Sequence, residues 1–208
     1  EEDTINARIE NLTAIEKSGF RIKRFTADVR ASDSFLRFKN LDFTTNKSHV
    51  ITDLLSFSTK SWDDYNNFEE KVYMASIFKH SLVEMEDVSY FAPELEGIKK
   101  TLTLSGDIHG RVNDLKGRKV EIAFGRASYL KGDFDLNGLP YLKETFVHLK
   151  INEINTNQAD LEAIPNYPFT EKSYLKLPQN IQRLGQLSFK GNFTGFYNDF
   201  VAYGKLTT

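Results

Sequence analysis

The stretch LTLSGDIHGRVNDL at residues 102–115 decides the fold, because LSFKGNFTGFYNDF at residues 187–200 repeats its pattern. Both copies place two glycines, an Asn-Asp pair and alternating apolar residues in the same register. Successive side chains of a β-strand point to opposite faces, so each copy predicts a ribbon with one apolar face. A repeat of this kind predicts an array of β units.

The bulk composition agrees with β structure and excludes several kinds of chemistry. The chain has 208 residues and a net charge of −2, with no basic footprint for nucleic acid. It contains 17 Phe and 9 Tyr, residues that favour strands. It has no Cys, which excludes disulfides, thiolate chemistry and Cys-ligated zinc. No apolar run approaches the roughly 18 residues of a membrane span.

Strand-type alternation continues along most of the chain, and the motif echoes a third time at residues 130–138. Residues 60–67 (KSWDDYNN) are predicted as a polar turn, and a strand pair is predicted around Lys79-His80. Residues 89–95 (SYFAPEL) predict a short helical turn. The Pro-rich residues 160–178 predict a long connection. We therefore divide the chain into a first β unit, 1–100, and a repeat-bearing unit, 101–208.

One motif matches a calcium loop. Asp133, Asp135, Asn137 and, five residues beyond Gly138, Glu144 fit the EF-hand spacing of oxygen ligands. Both flanks alternate like strands, however, whereas an EF-hand loop lies between helices. The favoured interpretation places Asp133, Asp135 and Asn137 on the solvent face of a strand, and a calcium site is the lesser alternative.

No arrangement of catalytic residues can be assembled from the sequence. The four histidines lie on separate predicted strands, with no spacing that would bring two onto one metal. The sequence has no G-x-S-x-G elbow, P-loop or dinucleotide fingerprint. We therefore expect a protein that is not an enzyme and has no cofactor.

Several motifs resemble one family of envelope proteins. SYFAPELEG at residues 89–97 resembles the D-F-x-P-x-L-x-G element of the AsmA-like group, and the closer similarity is to its TamB (translocation and assembly module) type from Bacteroidota. Further similarity lies at residues 104–116, 138–146 and 191–200. The pattern Ser18-Gly-Phe20, then residues 41–45 and Ser48, resembles the preceding unit of the same group.

The resemblance implies a function that the residues alone do not. It implies a segment of a longer protein that is anchored in the inner membrane and crosses the periplasm. It implies stacked β units in a curled, taco-like antiparallel sheet with an apolar inner groove. Phospholipid acyl chains would be the ligands, and a BamA-like outer-membrane barrel the partner in outer-membrane assembly. The Pro-rich connection at 160–178 departs from this pattern, because it interrupts the stack.

The alternation predicts an all-β antiparallel fold with one or two short helical turns, and the resemblance implies that the sheet is curled and that its apolar face binds lipid. One alternative is a structural or protein-binding β scaffold with a closed core. The other is a secreted carbohydrate-binding β-sandwich with calcium at Asp133, Asp135 and Asn137. The residues predicted to line the lipid groove are Leu104, Ile108, Val112, Val120, Ile122, Phe124, Phe134, Leu136, Phe189, Phe193 and Tyr197.

Overall fold

The computed structural model describes residues 3–17, 19–167, 169, 173–177 and 185–208. In these residues, eleven strands form one antiparallel sheet in which each strand pairs with its neighbours in the sequence. The strands are β1 (Ile5–Ile15), β2 (Arg21–Ser32), β3 (Phe35–Thr44), β4 (His49–Ser58), β5 (Tyr73–Glu84), β6 (Thr101–Arg111), β7 (Asp114–Phe124), β8 (Ser128–Asn137), β9 (Phe146–Asn157), β10 (Gln186–Phe196) and β11 (Asp199–Thr207).

The helices are short and lie in the connections between strands. They are a 3₁₀ helix (Trp62–Asn67), α1 (Phe68–Lys71), α2 (Met85–Ser89), a second 3₁₀ helix (Pro93–Leu95) and α3 (Gln158–Leu161). The prediction of an all-β antiparallel fold is confirmed. The predicted curling is wrong, because the sheet is open and uncurled, with β1 and β11 at opposite ends of the strand order. Long connections, rather than curvature of the sheet, cover parts of the side on which its apolar residues lie.

The register of the strands collects the apolar residues on one face. Leu104 of β6 is opposite Ile122 of β7, which is opposite Leu130 of β8, which is opposite Ile154 of β9. Directly opposed residues project to the same side of a sheet. We call this side the apolar face and the other side, which carries charged residues such as Asp107 and Arg118, the polar face.

A row of small or buried residues crosses the middle of the apolar face. The pairing register shifts near mid-strand in eight of the ten strand pairs of the described sheet, which marks β-bulges. Ala27 and Val120 in this row are only 2% and 1% exposed, although the sheet is a single layer. The row, which we call the central row, contains Ala27, Leu41, Thr52, Gly106, Val120, Gly132, Ile151, Gly191 and Gly204. Phe78 of β5 interrupts it between Thr52 and Gly106.

The repeat at residues 102–115 and 187–200 is a hairpin that recurs every four strands. β6–β7 and β10–β11 are each closed by a two-residue turn, and β2–β3 has a turn of the same length. Strands β2–β5 and β6–β9 are therefore two four-strand units, and each is followed by a helix, α2 or α3. The echo at residues 130–138 forms β8, the third strand of its unit.

The boundary at residue 100 falls between these units. β5 and β6 pair across it, so the sheet is continuous there. The division of the chain into units 1–100 and 101–208 stays a prediction.

Several local predictions are wrong for identifiable reasons. Residues 62–71, taken in part as a polar turn, are helical, because Asp64 caps the segment by accepting hydrogen bonds from Thr59 and the backbone of Lys60 and Ser61. The strand pair around Lys79-His80 is the single strand β5, bulged where His80 has a φ of 35°. Part of the Pro-rich connection, including Pro168 and Pro178, lies outside the described residues, as does Ser18.

We expect Gly106→Ala to destabilise the protein by about 2 kcal/mol. Gly106 has a φ of 125°, and a Cβ there would lie 2.7 Å from the Cα of Val120, so both backbone strain and a clash would result. Chemical denaturation of the variant measures this loss. Gly185→Ala is the matched control, because nothing lies within 4 Å of a Cβ at that position. Equal midpoints for the two variants would contradict the assigned bulge.

Candidate functional site

Nine of the eleven predicted groove residues lie on the apolar face. They belong to β6, β7, β8 and β10, and the cross-strand register joins them into one surface. Val112 and Tyr197 are the exceptions, because they occupy the turns that follow β6 and β10. The ring of Tyr197 lies 6.2 Å from that of Tyr167 instead. The nine residues are Leu104, Ile108, Val120, Ile122, Phe124, Phe134, Leu136, Phe189 and Phe193.

The apolar face extends well beyond the residues that the sequence singled out. Phe25 of β2, Phe38 of β3 and Phe57 of β4 form a chain of ring contacts with centroid separations of 5.6 Å and 6.4 Å. At the other edge, Phe193 stacks on Phe200 of β11 at 4.5 Å. The face therefore reaches from the first strands of the sheet to the last.

No second sheet covers this face in the part of the chain that the structure describes. Most of its large side chains, including Ile108, Ile122 and Phe134, are half-buried, and Phe200 is 52% exposed. The alternative of a β-sandwich is therefore wrong for the described residues. A sandwich core requires two facing sheets, and these eleven strands form one.

Connections cover the two ends of the apolar face. At one end, Phe68 of α1 lies against Phe57, with ring centroids 5.7 Å apart, and the adjacent Val72 is fully buried. At the other end, Phe20 contacts both Tyr90 and Phe91, which follow α2, at 5.2 Å. The covers are local, and the middle of the face lies between them.

A cavity of about 260 Å³ lies on the apolar face between two of these connections. Leu102 and Phe124 of the sheet form its floor. One wall comes from the β5–β6 connection, through Met85 and Ile98, and the opposite wall comes from the segment after α3. Its lining is almost entirely apolar, and the polar residues there are Lys100 and Asp160.

Asp160 is the most strongly held carboxylate near the cavity. It is 6% exposed and accepts hydrogen bonds from the Ser128 hydroxyl (2.7 Å) and from the backbone N–H groups of Arg126 (3.0 Å) and Ala127 (3.2 Å). The Asn157 side chain donates another, at 3.0 Å. These donors, Ser128 first, lower the pKa of Asp160 to about 2 against the opposing effect of burial.

Acidic and basic side chains form ion pairs across the polar face. Arg8 pairs with Asp28 at 2.7 Å, Arg24 with Asp42 at 2.7 Å and Lys79 with Asp53 at 2.6 Å, always between neighbouring strands. Pairs this exposed contribute about 0–1 kcal/mol each. The polar face is therefore a charged surface suited to water, in contrast to the apolar face.

The calcium alternative is not supported by the geometry. Asp133 and Asp135 lie on the polar face of β8, with strands on both sides. Asp135 is bound by Arg118 at 2.6 Å, and Asp133 accepts a hydrogen bond from the Lys119 N–H at 2.8 Å. Asn137 ends the strand and is exposed. Within the described ranges, no three His, Asp or Glu residues are grouped to hold a metal ion.

No family model, curated protein or solved structure matches this chain. The resemblance to AsmA-like proteins therefore stays a prediction from the sequence motifs. Among the described residues, the helices are all too short and too polar to cross a membrane.

Sequence analysis missed the aspartates that fasten the connections. Asp87 and Asp160 are each the third residue of a short helix that follows a four-strand unit. Each carboxylate accepts hydrogen bonds from the turn between the second and third strands of its own unit. Two features were available in the sequence. Each unit has an Asp three residues after the end of its fourth strand, and a Ser at or immediately before the start of its third strand.

We expect Asp160 to make the stability of the protein depend on pH. Its pKa in the folded protein is about 2, below the ordinary value of 3.8 for an aspartate, so its stabilisation is present above pH 4 and is lost as the pH falls toward 2. The free energy of unfolding should therefore fall more steeply between pH 4 and pH 2 in the wild type than in Asp160→Asn. Urea unfolding at several pH values measures both slopes, and parallel curves would refute the assignment.

Proposed function

We propose that this chain is a non-catalytic section of an envelope protein that offers its apolar face to phospholipid acyl chains. The observation that carries the proposal is a single sheet with one continuous apolar face and, in the described residues, no second sheet over it. Exposed apolar surfaces larger than a few hundred Å² mark sites of interaction with protein or lipid. An acyl chain would remove this surface from water.

The extent of the apolar face favours a long, flexible ligand. Gly106 and Gly132 of the central row are flanked on both sides by larger side chains, such as Ile108 and Phe134, and these half-buried side chains form the accessible surface. Neighbouring strands are about 4.8 Å apart, so the face extends roughly 48 Å across eleven strands. Half the hydrocarbon core of a bilayer is about 15 Å, so an acyl chain can lie across several strands of this face.

The cellular context of the proposal comes from the sequence resemblance. In an AsmA-like protein of the TamB type, this segment would lie in the periplasm, in a longer chain anchored in the inner membrane. A BamA-like barrel would be the partner at the outer membrane. Phospholipid transport toward that membrane, and its assembly, would be the processes served.

A photocrosslinking experiment tests the lipid assignment. We expect photoreactive residues in place of Ile108 and Phe193 to form lipid adducts in cells, because both side chains lie on the apolar face. His109 and Asn192, the adjacent residues on the polar face, are the matched controls and should not. Mass spectrometry of the purified protein identifies the adducts. Equal lipid labelling on both faces, or none on either, would refute the proposal.

The scaffold alternative draws support from the edge strand β11. All nine of its residues are exposed, and Val201 and Tyr203 on its polar face are each 67% exposed. A long, apolar edge strand is a template for pairing with another strand. Photoreactive residues at Val201 and Tyr203 extend the same experiment: protein adducts there, without lipid adducts at Ile108 and Phe193, would favour the scaffold.

A further inference from the structure

The two connections that bound the cavity are fastened to the sheet in the same way. α2 and α3 each follow the fourth strand of a unit, and the third residue of each helix is an aspartate. Asp87 accepts hydrogen bonds from the hydroxyls of Thr45 (2.5 Å) and Ser48 (2.6 Å) in the β3–β4 turn. Asp160 accepts them from Arg126 and Ala127 in the β7–β8 turn and from Ser128, the first residue of β8.

The hydroxyl donors of these contacts are buried, so breaking the contacts has a substantial cost. Thr45 is 2% exposed, Ser48 5% and Ser128 2%. A hydrogen bond to a charged group is stronger than one between neutral groups, and a buried donor left without its acceptor adds a desolvation penalty. Each aspartate therefore joins its connection to a hairpin two strands earlier in the chain. We call the two clusters the Asp87 latch and the Asp160 latch.

The Asp160 latch also fits the backbone beside it closely. A Cβ at Gly125 would lie 2.3 Å from Oδ1 of Asp160, and the φ of Gly125 is 64°. Ser128 bonds in addition to Thr156 at 2.8 Å, at the end of β9 where α3 begins. Asn157 caps α3 by accepting a hydrogen bond from the backbone N–H of Asp160. Asp160 and the residues that bind it therefore hold the start of the β9–β10 connection against the sheet.

Ala163, Ile164 and Pro165 come directly after the Asp160 latch and form one wall of the cavity. The wall is short, and Asp160 is its anchor to the sheet. We propose that the Asp160 latch holds this wall closed over Leu102 and Phe124, and that its release opens the cavity to an apolar chain. The Asp87 latch holds the opposite connection in the same manner. Occupancy of the cavity by an acyl chain rests on the proposed function, whereas the latch does not.

Cysteine accessibility tests the latch, because the chain has no Cys of its own. Cys introduced as Ala163→Cys reports the cavity wall, and Val88→Cys reports α2. We expect Asp160→Asn to speed maleimide labelling at position 163 by about tenfold or more, since a buried hydrogen bond to a charged group is lost. Position 88 should not change. Asp87→Asn should speed labelling at position 88 and leave position 163 unchanged. Ala202→Cys on β11 should label at the same rate in the wild type and in both variants.

Two readouts separate the latch from general destabilisation. Circular dichroism at the labelling temperature must show an intact sheet, and Ser128→Ala, which removes one donor, replaces Asp160→Asn if that variant does not fold. Faster labelling at position 163 alone supports the latch. Equal acceleration at positions 88, 163 and 202, or none at position 163, overturns it.

Palmitate added to the wild-type background tests the occupant. We expect palmitate to slow labelling of Ala163→Cys and to leave Val201→Cys, on the polar face of β11, unchanged. Latch-dependent labelling without protection by palmitate keeps the latch and counts against the acyl-chain ligand. Protection that is identical in the wild type and in Asp160→Asn, with no change in the labelling rate, overturns the latch and keeps the ligand.

Discussion

An open, uncurled β-sheet can bury its apolar face only against something other than itself, and the rest of this structure follows from that constraint. Eleven strands present their apolar residues to one side, and the described residues provide no second sheet to cover it. What covers it instead are the connections: α1 at one end, and the segments that begin with α2 and α3 at the other. The uncovered middle is the surface to which we assign a function.

The sheet accommodates this arrangement through the backbone of its central row. Bulges and glycines near mid-strand leave room for the flanking side chains to lean over the central row. This explains how Ala27 and Val120 are buried in a single-layer sheet. The polar face carries cross-strand ion pairs such as Arg118 with Asp135. The two faces therefore differ in chemistry along the whole sheet, and no second sheet of the described residues lies over the apolar one.

Much of the fold was predictable, because period-2 alternation is a direct consequence of strand geometry. It identified the all-β class and placed nine of eleven groove candidates on one face. It failed for Val112 and Tyr197, where alternation runs on into a two-residue turn, and for residues 62–71, where Asp64 caps a helix through contacts with Thr59. The match of Asp133, Asp135 and Asn137 to a calcium motif failed because Arg118 and the Lys119 N–H bind the two carboxylates.

The sequence by itself determined the β class, the repeated hairpin and the composition of each face, because these depend on residues close together in the chain. Only the tertiary structure decided that the strands form one open sheet, that the hairpin recurs every four strands, and that Asp87 and Asp160 fasten equivalent connections. Those features depend on contacts between residues such as Ser128 and Asp160, 32 positions apart. No local pattern encodes such a pairing, since its geometry exists only once the intervening strands have paired.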